Sequence, residues 1–246
     1  MHSADGHGVT VISLDVTNST NLEAKEHIER GDIKGPTLIT AASQTDGRGR
    51  NDRSWVSEKG NFFGTFIVDP QVSVEHIAQS SFVASLALYD TIVSSVSGVQ
   101  GVTLKWPNDV LIDGKKVAGI LLEYQPPYVL IGIGVNLLSY PDNVMINATS
   151  ISKSCGTVIA MDKFIDLLCT SMTERLQQWR TQGFCALSAQ WQEKAHPKGT
   201  AIVIRDEDIS DYNATYQGLD HNGALIAIRE DDGSEVLVHA GDILLT

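Results

Sequence analysis

Two segments near the middle of the chain constrain its fold more than any other part of the sequence. Val102 to Tyr124 contains two apolar stretches that meet at Asp113-Gly114, a dipeptide suited to the positive φ angles of a tight turn. In Val129 to Leu137 the residues alternate, so that one strand face carries Ile131, Ile133 and Val135 and the other carries Gly132, Gly134 and Asn136. The pattern predicts a hairpin followed by a strand with one apolar face and one bare face.

The remaining sequence predicts both helices and strands. Thr20-Asn21-Leu22-Glu23 has the spacing of a capping box, and we expect the helix that it opens to end near Gly31. Helical spacing of apolar residues predicts a buried helix from Val74 to about Val96 and a long helical region from about Met161 to Lys194, interrupted near Gly183. Further strands are predicted over 9–16, 37–41 and 61–68, and residues 140–160 are predicted to form a long polar loop.

The C-terminal part of the sequence changes to short strands separated by turns. They are predicted over 201–205, 214–219, 224–229 and 235–239, and the chain closes with Gly241-Asp242-Ile243. We therefore expect two domains, over residues 1–196 and 197–246, with the boundary at His196 to Gly199.

Composition excludes several classes of protein. The 18 Lys and Arg against 30 Asp and Glu leave a net charge of -12, which disfavours general binding to nucleic acid. The three cysteines are odd in number and lack a Cys-x-x-Cys spacing, so neither disulfides nor a zinc site is indicated. We see no apolar run of ~20 residues and no signal-peptide pattern. The expectation is a cytoplasmic protein without a membrane partner.

Against this acidic background, positive charge is concentrated in two short segments. One contains Arg48, Arg50, Arg53 and Lys59, and the other contains Lys105, Lys115 and Lys116. Glycine beside arginine lets the backbone approach a ligand, while guanidinium groups grip phosphate or carboxylate. The alternative is a solvated turn or a disordered RNA-binding segment, but flanking strands and Trp55 favour an ordered loop. We infer a small anionic ligand.

Other candidate residues have both a structural and a functional interpretation. Lys105-Trp106-Pro107-Asn108-Asp109 is either a rigid strand that presents Asn108 and Asp109 or a strand edge with a core tryptophan. Asp109 could assist Mg²⁺, although one carboxylate does not make a metal site. Lys116 is either exposed or beside a ligand that approaches Gly119. Ser19 and Thr20 suit helix caps or an anion site.

No histidine has metal-binding spacing, and no nucleophile and base pattern can be assembled. The sequence therefore favours a reaction in which the enzyme aligns two reactants and spreads the charge of a transferring phosphate.

Taken in order, these motifs resemble those of the biotin protein ligases. They are Ser19-Thr20-Asn21, Gln44, Gly47-Arg48-Gly49-Arg50, Lys105-Trp106-Pro107-Asn108-Asp109, Lys116 to Leu121 and Gly132-Ile133-Gly134-Val135-Asn136. The resemblance implies an α+β fold: a mixed β-sheet flanked by helices, similar to class II aminoacyl-tRNA synthetases, followed by an SH3-like barrel from about Lys198. It covers nearly the whole chain.

The resemblance also implies roles for individual residues. Lys116, Arg48 and Arg50 would be catalytic. Biotin would be bound by Ser19, Thr20, Asn21, Gln44, Gly47, Arg48, Lys116 and Gly119. ATP and the adenylate would be bound by Arg50, Arg53, Trp55, Lys105, Asn108, Lys116 and Asn136, with Asp109 as a magnesium ligand. For Trp55, a place in the core is the alternative.

The implied reaction forms biotinoyl-AMP from biotin and Mg-ATP and then transfers biotin to a lysine of a biotin carboxyl carrier protein. The alternatives are a lipoate or octanoate ligase or transferase of the same superfamily and a non-enzymatic RNA-binding protein. The resemblance also allows a homodimer through sheet edges, and we expect no DNA-binding domain. Asn51-Asp52 stands where relatives often carry Arg-Gly, which predicts a less tightly held intermediate. The loop over 140–160 is expected to order over the adenylate.

Overall fold

The computed structural model describes residues 2–3, 8–51, 53–141, 147–205 and 210–245. Its larger sheet has the order β1-β2-β3-β4-β8-β7-β6-β5, in which β2 and β3 are parallel and all other neighbours are antiparallel. The predicted mixed sheet is therefore confirmed. Its strands are β1 (His2–Ser3), β2 (Thr10–Thr17), β3 (Thr37–Gln44), β4 (Phe62–Val68), β5 (Val102–Lys105), β6 (Asp109–Ile112), β7 (Lys115–Gln125) and β8 (Tyr128–Val135).

Helices cover both faces of this sheet. The apolar face packs on the two long helices, with the Phe62 and Phe164 ring centroids 5.3 Å apart. The opposite face carries a small cluster in which Ala24 packs on Ile39, Ile67 and Leu130. The helices are α1 (Thr20–Glu29), a 3₁₀ helix (Val74–Gln79), α2 (Ser80–Ser95), α3 (Ile151–Cys155) and α4 (Met161–Lys194), which is interrupted at Gly183 as predicted.

The C-terminal residues form a second, five-stranded antiparallel sheet. Its first four strands are a meander and the fifth returns beside the first, the strand order of SH3-like barrels. Trp106 joins the two sheets, since its indole Nε1 donates to the carbonyl oxygen of Gly223 at 3.1 Å. The strands are β9 (Ala201–Arg205), β10 (Tyr212–Leu219), β11 (Leu225–Arg229), β12 (Glu235–Val238) and β13 (Asp242–Leu245).

The central hairpin was predicted incompletely. Asp113 and Gly114 do form its tight turn, with φ angles of 49° and 73°. However, Lys105 to Asp109 is not one strand, because residues 106–108 make a second turn between β5 and β6. Proline has no N–H to give to a sheet ladder, and it stands in this turn after a cis peptide bond. The segment therefore has three strands and not two.

Three local predictions were wrong at the ends of elements. Ser19, and not Thr20, precedes the first helical residue, and neither side chain caps α1. Gln44 Oε1 accepts from the Thr20 amide at 2.9 Å, so a tertiary contact replaces the local cap.

The predicted helix from Val74 begins as a 3₁₀ turn, and the predicted loop over 140–160 contains α3, capped by Ser150. Residues 142–146 of that loop lie outside the described part of the chain.

Within the described residues, no helix combines the length and the apolar character needed to cross a membrane.

Candidate active site

Two glycines on neighbouring strands form the floor of the site. Gly119 on β7 pairs with Gly134 on β8, and the Trp55 ring lies on both. A Cβ at Gly134 would collide with this ring, and one at Gly119 would lie 3.0 Å from its Cζ3 atom. The bare strand face predicted from the sequence is therefore covered by an aromatic ring. The Trp55 indole Nε1 is buried and has no hydrogen-bond partner among the described residues.

A β-bulge brings a cation to this glycine floor. Leu111 pairs with Lys116 and Val110 with Ala118, so Val117 is an extra residue in β7. Residues three apart normally point to opposite faces of a strand, but the extra residue turns Lys116 to the side of Gly119. Its Nζ lies 5.5 Å from the centroid of the Trp55 ring.

Asp109 forms ion pairs with this cation and with a second one. Its Oδ1 lies 2.6 Å from Lys116 Nζ, and its Oδ2 lies 3.3 Å from Lys105 Nζ. Only 8% of Asp109 is exposed, so water screens these ion pairs weakly. One carboxylate between two ammonium groups is not the donor set of a metal site built by protein alone. The described residues gather no cluster of three or more potential metal ligands. The role of Asp109 towards Mg²⁺ stays a prediction.

The glycine-arginine segment is an ordered loop closed by its own backbone. The Trp55 amide donates to the Gly47 carbonyl at 2.8 Å, and the Gly49 amide donates to the Arg53 carbonyl at 2.6 Å. A Cβ at Gly47 would lie 2.5 Å from the Trp55 carbonyl oxygen, so glycine is required where the loop closes. These contacts favour the ordered loop over the disordered alternative.

The loop's arginines reach across to the C-terminal sheet. Asp242 accepts from Arg50 at 3.2 Å and from Arg53 at 2.6 Å, and the Gly241 carbonyl accepts from Arg50 at 3.1 Å. Arg50 also lies 3.3 Å from Asn108 Oδ1. Burial raises the pKa of Asp242, but the Arg53 hydrogen bond and the charges of Arg53 and Arg50 outweigh it, so the pKa falls below its usual value.

The residues predicted to recognise biotin lie together at the start of α1. Ser19, Thr20 and Asn21 are all buried, and the amide of Thr20 donates to Gln44 Oε1 at 2.9 Å, with the Thr20 hydroxyl oxygen 3.2 Å from the same atom. A cavity of about 330 Å³ lies between the arginine loop and β7, and it is lined by Arg48, Gly49, Arg50, Asn51, Leu121 and Glu123. The structure therefore brings the predicted biotin residues and the arginine loop to the same face of the sheet.

Two asparagines hold the segment that follows β8. Asn136 Nδ2 donates to the Thr149 carbonyl at 3.0 Å, and its own carbonyl accepts from the Ile151 amide at 2.9 Å. Asn61 Oδ1 accepts from the amides of Leu138 and Ser139 at 2.9 and 3.1 Å. In the structure Asn136 thus fixes backbone, and its predicted place near the nucleotide stays a prediction.

The sequence interpretation missed Glu123, Thr65, Ser57 and Asp242. Gly119, Leu121 and Glu123 are spaced by two residues, so strand alternation places all three on one face of β7. The sequence could therefore have predicted a charge beside the glycine floor. Asp242 carries no such signal, because its partners are about 190 residues away in sequence.

The fold and the site define an α+β protein with a cationic, glycine-floored site and an SH3-like C-terminal sheet. The model of the biotin/lipoate A/B protein ligase family matches residues 13–136, and the chain belongs to this family.

Similar proteins extend the match over most of the chain. The chain is 36% identical over 231 residues to the biotin--[acetyl-CoA-carboxylase] ligase of Paracoccus denitrificans, covering 90% of this chain and 95% of that protein. It is 33% identical to the bifunctional ligase/repressor BirA of Bacillus subtilis, covering 89% of this chain and 69% of that protein. The biotin protein ligase from Aquifex aeolicus in complex with biotin and ATP has the same fold, with a TM-score of 0.83, 23% identity and coverage of 96% and 98%.

Proposed function

We propose that this chain is an ATP-dependent biotin protein ligase. The observation that carries the proposal is the position of Lys116. Its ammonium group lies beside Gly119 and the Trp55 ring, on the face that also holds the Thr20 and Gln44 pocket. The named activity of the Paracoccus relative, which is similar over almost its whole length, supports the choice.

In the first half-reaction, a biotin carboxylate oxygen attacks the α-phosphorus of ATP. The new bond is the mixed anhydride of biotinoyl-AMP, and the bond to pyrophosphate breaks. Lys116 and the loop arginines offset the negative charge of two anions brought together, which is the main contribution that positioned charges make to such a transfer. No side chain has to act as a nucleophile.

In the second half-reaction, the neutral amine of a carrier-protein lysine attacks the activated carbonyl. A C–N bond forms, the bond to AMP breaks, and the amine loses a proton. The acceptor we propose is the carrier domain of a biotin-dependent carboxylase. Nucleic acid is not a proposed partner, in keeping with the net charge of -12.

Magnesium would arrive with the ATP phosphates, and Asp109 is the carboxylate that the sequence offers to it. Mg²⁺ commonly keeps several waters and takes one or two protein carboxylates together with substrate phosphates. Asp109 would then give up its contact with one lysine ammonium group and bind Mg²⁺ instead.

A lipoate ligase is the nearest alternative, because the family model includes both activities. The two are separated by incubating the protein with Mg-ATP and an equal mixture of biotin and lipoate and detecting acyl-AMP by mass spectrometry. Biotinoyl-AMP alone is the expected product. If lipoyl-AMP forms instead, the protein is a lipoate ligase. If neither adenylate forms, the proposal that the protein catalyses adenylation is wrong. RNA binding without adenylate formation would favour the third interpretation.

We also propose that two copies of the chain pair along β2. Beyond its short pairing with β1 at Thr10 and Val11, the outer edge of β2 has no neighbouring strand among the described residues, and 56% of Val16 is exposed. Unpaired strand edges are suited to adding another strand. Light scattering after size exclusion should give a dimer at high protein concentration, and a monomer at all concentrations would refute the pairing.

A further inference from the structure

A continuous chain of hydrogen bonds runs behind the pocket at the start of α1. It joins three residues of α1 to strands β3, β4 and β7 and to the arginine loop. We call it the polar chain, and its members in order are Lys25, Glu123, Asn21, Thr65, Thr20, Gln44 and Ser57.

Glu123 is the acidic member of this chain, and both of its carboxylate oxygens accept hydrogen bonds. Its Oε1 accepts from Lys25 Nζ at 2.9 Å, and its Oε2 accepts from Asn21 Nδ2 at 2.7 Å. Burial raises its pKa, but the hydrogen bonds from Lys25 and Asn21 and the charges of Lys25 and Arg48 lower it more, so the carboxylate stays ionised at neutral pH. An ionised carboxylate can only accept.

This fixed acceptor determines the direction of the next groups. Because Asn21 must donate its Nδ2 to Glu123, its Oδ1 faces Thr65 Oγ1 at 2.5 Å and accepts from it. A Cβ at residue 132 would collide with this amide, so glycine there makes room for it. Without Glu123, the two ends of the Asn21 amide would be nearly equivalent.

The same direction continues to the Thr20 hydroxyl. Thr65 gives its single hydroxyl hydrogen to Asn21, so at the 2.8 Å contact between the two threonine hydroxyls Thr65 is left to accept from Thr20. Gln44 is oriented separately, because its Oε1 accepts from the Thr20 amide at 2.9 Å and its amide nitrogen donates to Ser57 Oγ at 2.9 Å. The direction set by Glu123 therefore reaches the Thr20 hydroxyl, whereas Gln44 and Ser57 follow a backbone amide.

We propose that Glu123 is a positioning residue that sets which groups of Asn21, Thr65 and the Thr20 hydroxyl donate and which accept in the biotin pocket. The proposal rests on the proposed function, since the pocket is taken to hold the cyclic urea of biotin, with its two N–H donors and one oxygen acceptor. Glu123 acts through Asn21 and the threonines and performs no chemical step.

Exchanging the acid and the amide tests this directly. In Glu123→Gln, one amide nitrogen must face either Lys25 or Asn21 Nδ2, so a contact is lost or Asn21 turns over. In Asn21→Asp, two carboxylates meet at a contact that is now 2.7 Å. In the double variant, the new amide at position 123 would accept from Lys25 and donate to the new carboxylate at position 21. That carboxylate would still accept from Thr65, so the full pattern is restored with no change in net charge.

The assay is biotin-dependent exchange of pyrophosphate into ATP, which needs no acceptor protein. We expect each single variant to raise the KM for biotin about 10-fold or more, as expected for a hydrogen bond to a charged group, with kcat and the KM for ATP within about threefold. The double variant should return the KM for biotin to within about threefold of the native value. Glu26→Gln, an exposed acid on the same helix, is the matched control.

A second substrate separates pocket direction from general damage. In 2-iminobiotin an imino nitrogen replaces the urea oxygen, so the preference for biotin over 2-iminobiotin measures the donor and acceptor pattern itself. The preference should fall in Glu123→Gln and recover in the double variant, whereas loss of fold would lower both activities together.

Several results would overturn the proposal. The first is an unchanged KM for biotin in Glu123→Gln. The second is a double variant whose KM for biotin rises by as much as the two single increases combined. The third is a double variant that does not fold, as judged by thermal unfolding. If the native protein shows no exchange with biotin, the proposed function fails instead. The two failures are therefore distinguishable.

Discussion

At the scale of single residues, the site is built from cations that already have carboxylate partners. Lys116 contacts Asp109, Arg50 and Arg53 contact Asp242, and Arg48 lies near Glu123. Such pairs hold long side chains in defined places before a substrate arrives, which reduces the ordering that binding requires. An anionic substrate must then compete with these carboxylates, so it succeeds only where several cations act together.

Replacing Lys116 by Met should abolish most of the activity while keeping the fold. The thioether side chain preserves the packing on Trp55 but removes the charge that offsets the reacting anions, so kcat/KM for biotinoyl-AMP formation should fall ~100-fold or more. The control is Lys115→Met, because Lys115 is exposed and starts the same strand. Activity within about twofold of native in Lys116→Met would contradict the assignment.

Asn51-Asp52 should govern how long the intermediate stays bound. Asn51 has a φ of 54° and lines the cavity beside Arg48. Replacing the pair by Arg-Gly adds a cation to that cavity, so biotinoyl-AMP should dissociate more slowly. The dissociation rate can be followed by displacement of labelled intermediate, and an equal rate in both proteins would disprove the idea.

At the scale of elements, the two glycine strands and the arginine loop form one packed unit. Gly119 and Gly134 leave a flat surface, and Trp55 occupies it. The loop is therefore positioned by an aromatic contact as much as by its charges. The Trp55 Nε1 lies against Gly134 and lacks a hydrogen-bond partner within the described residues.

Adding one methyl group at Gly134 should displace that ring. Gly134→Ala places a methyl group where the ring lies, so either Trp55 moves off the floor or it stays and its surroundings repack at a cost of about 1–3 kcal/mol in the free energy of unfolding. The expected results are a lower free energy of unfolding or greater quenching of tryptophan fluorescence by acrylamide. Gly35→Ala serves as the control, since nothing lies within 4 Å of its Cβ position. If neither quantity changes, Trp55 does not rest on Gly134.

The sequence was informative where a local pattern has one physical meaning. Alternation in 129–137 predicted the bare strand face, and Asp113-Gly114 predicted the turn, because both depend on residues next to each other. The capping box failed because Gln44, distant in sequence, bonds the Thr20 amide. Glu123 and Asp242 were missed for the same reason, as their roles come from partners that only the fold brings near.

At the scale of the whole molecule, the C-terminal sheet contacts the arginine loop directly. Asp242 and the Gly241 carbonyl hold Arg50, and Trp106 bonds Gly223. The loop that is predicted to grip phosphates is therefore held by contacts to both sheets. Movement of the small sheet would loosen the arginines and the Trp106 turn together.

Asp242→Asn should weaken ATP binding and the junction of the sheets. Arg53 is half exposed and would lose its charged partner, so the KM for ATP should rise about 3–10-fold and stability should fall by about 1 kcal/mol. Asp231→Asn, which breaks an exposed pair with Arg229, is the matched control. An unchanged KM for ATP would show that Asp242 does not orient the loop.

The stability contributed by Asp242 also has a defined pH dependence. Its pKa is lower in the folded protein than in the unfolded chain, so the contribution is complete above the unfolded value of about 3.9 and is lost as pH falls through the lowered pKa. The difference in unfolding free energy between the native protein and Asp242→Asn should be constant from about pH 5 to 8 and vanish in stronger acid. A difference that changes near neutral pH would require another group.

The bulge at Val117 has a consequence for how this protein can diverge. Because Val117 is the extra residue, its deletion would restore regular pairing with β6 and leave Lys116 two positions from Gly119, on the same face of the strand. Loss of this residue is therefore a change of length that β7 can absorb while the Lys116 ammonium group stays beside the glycine floor.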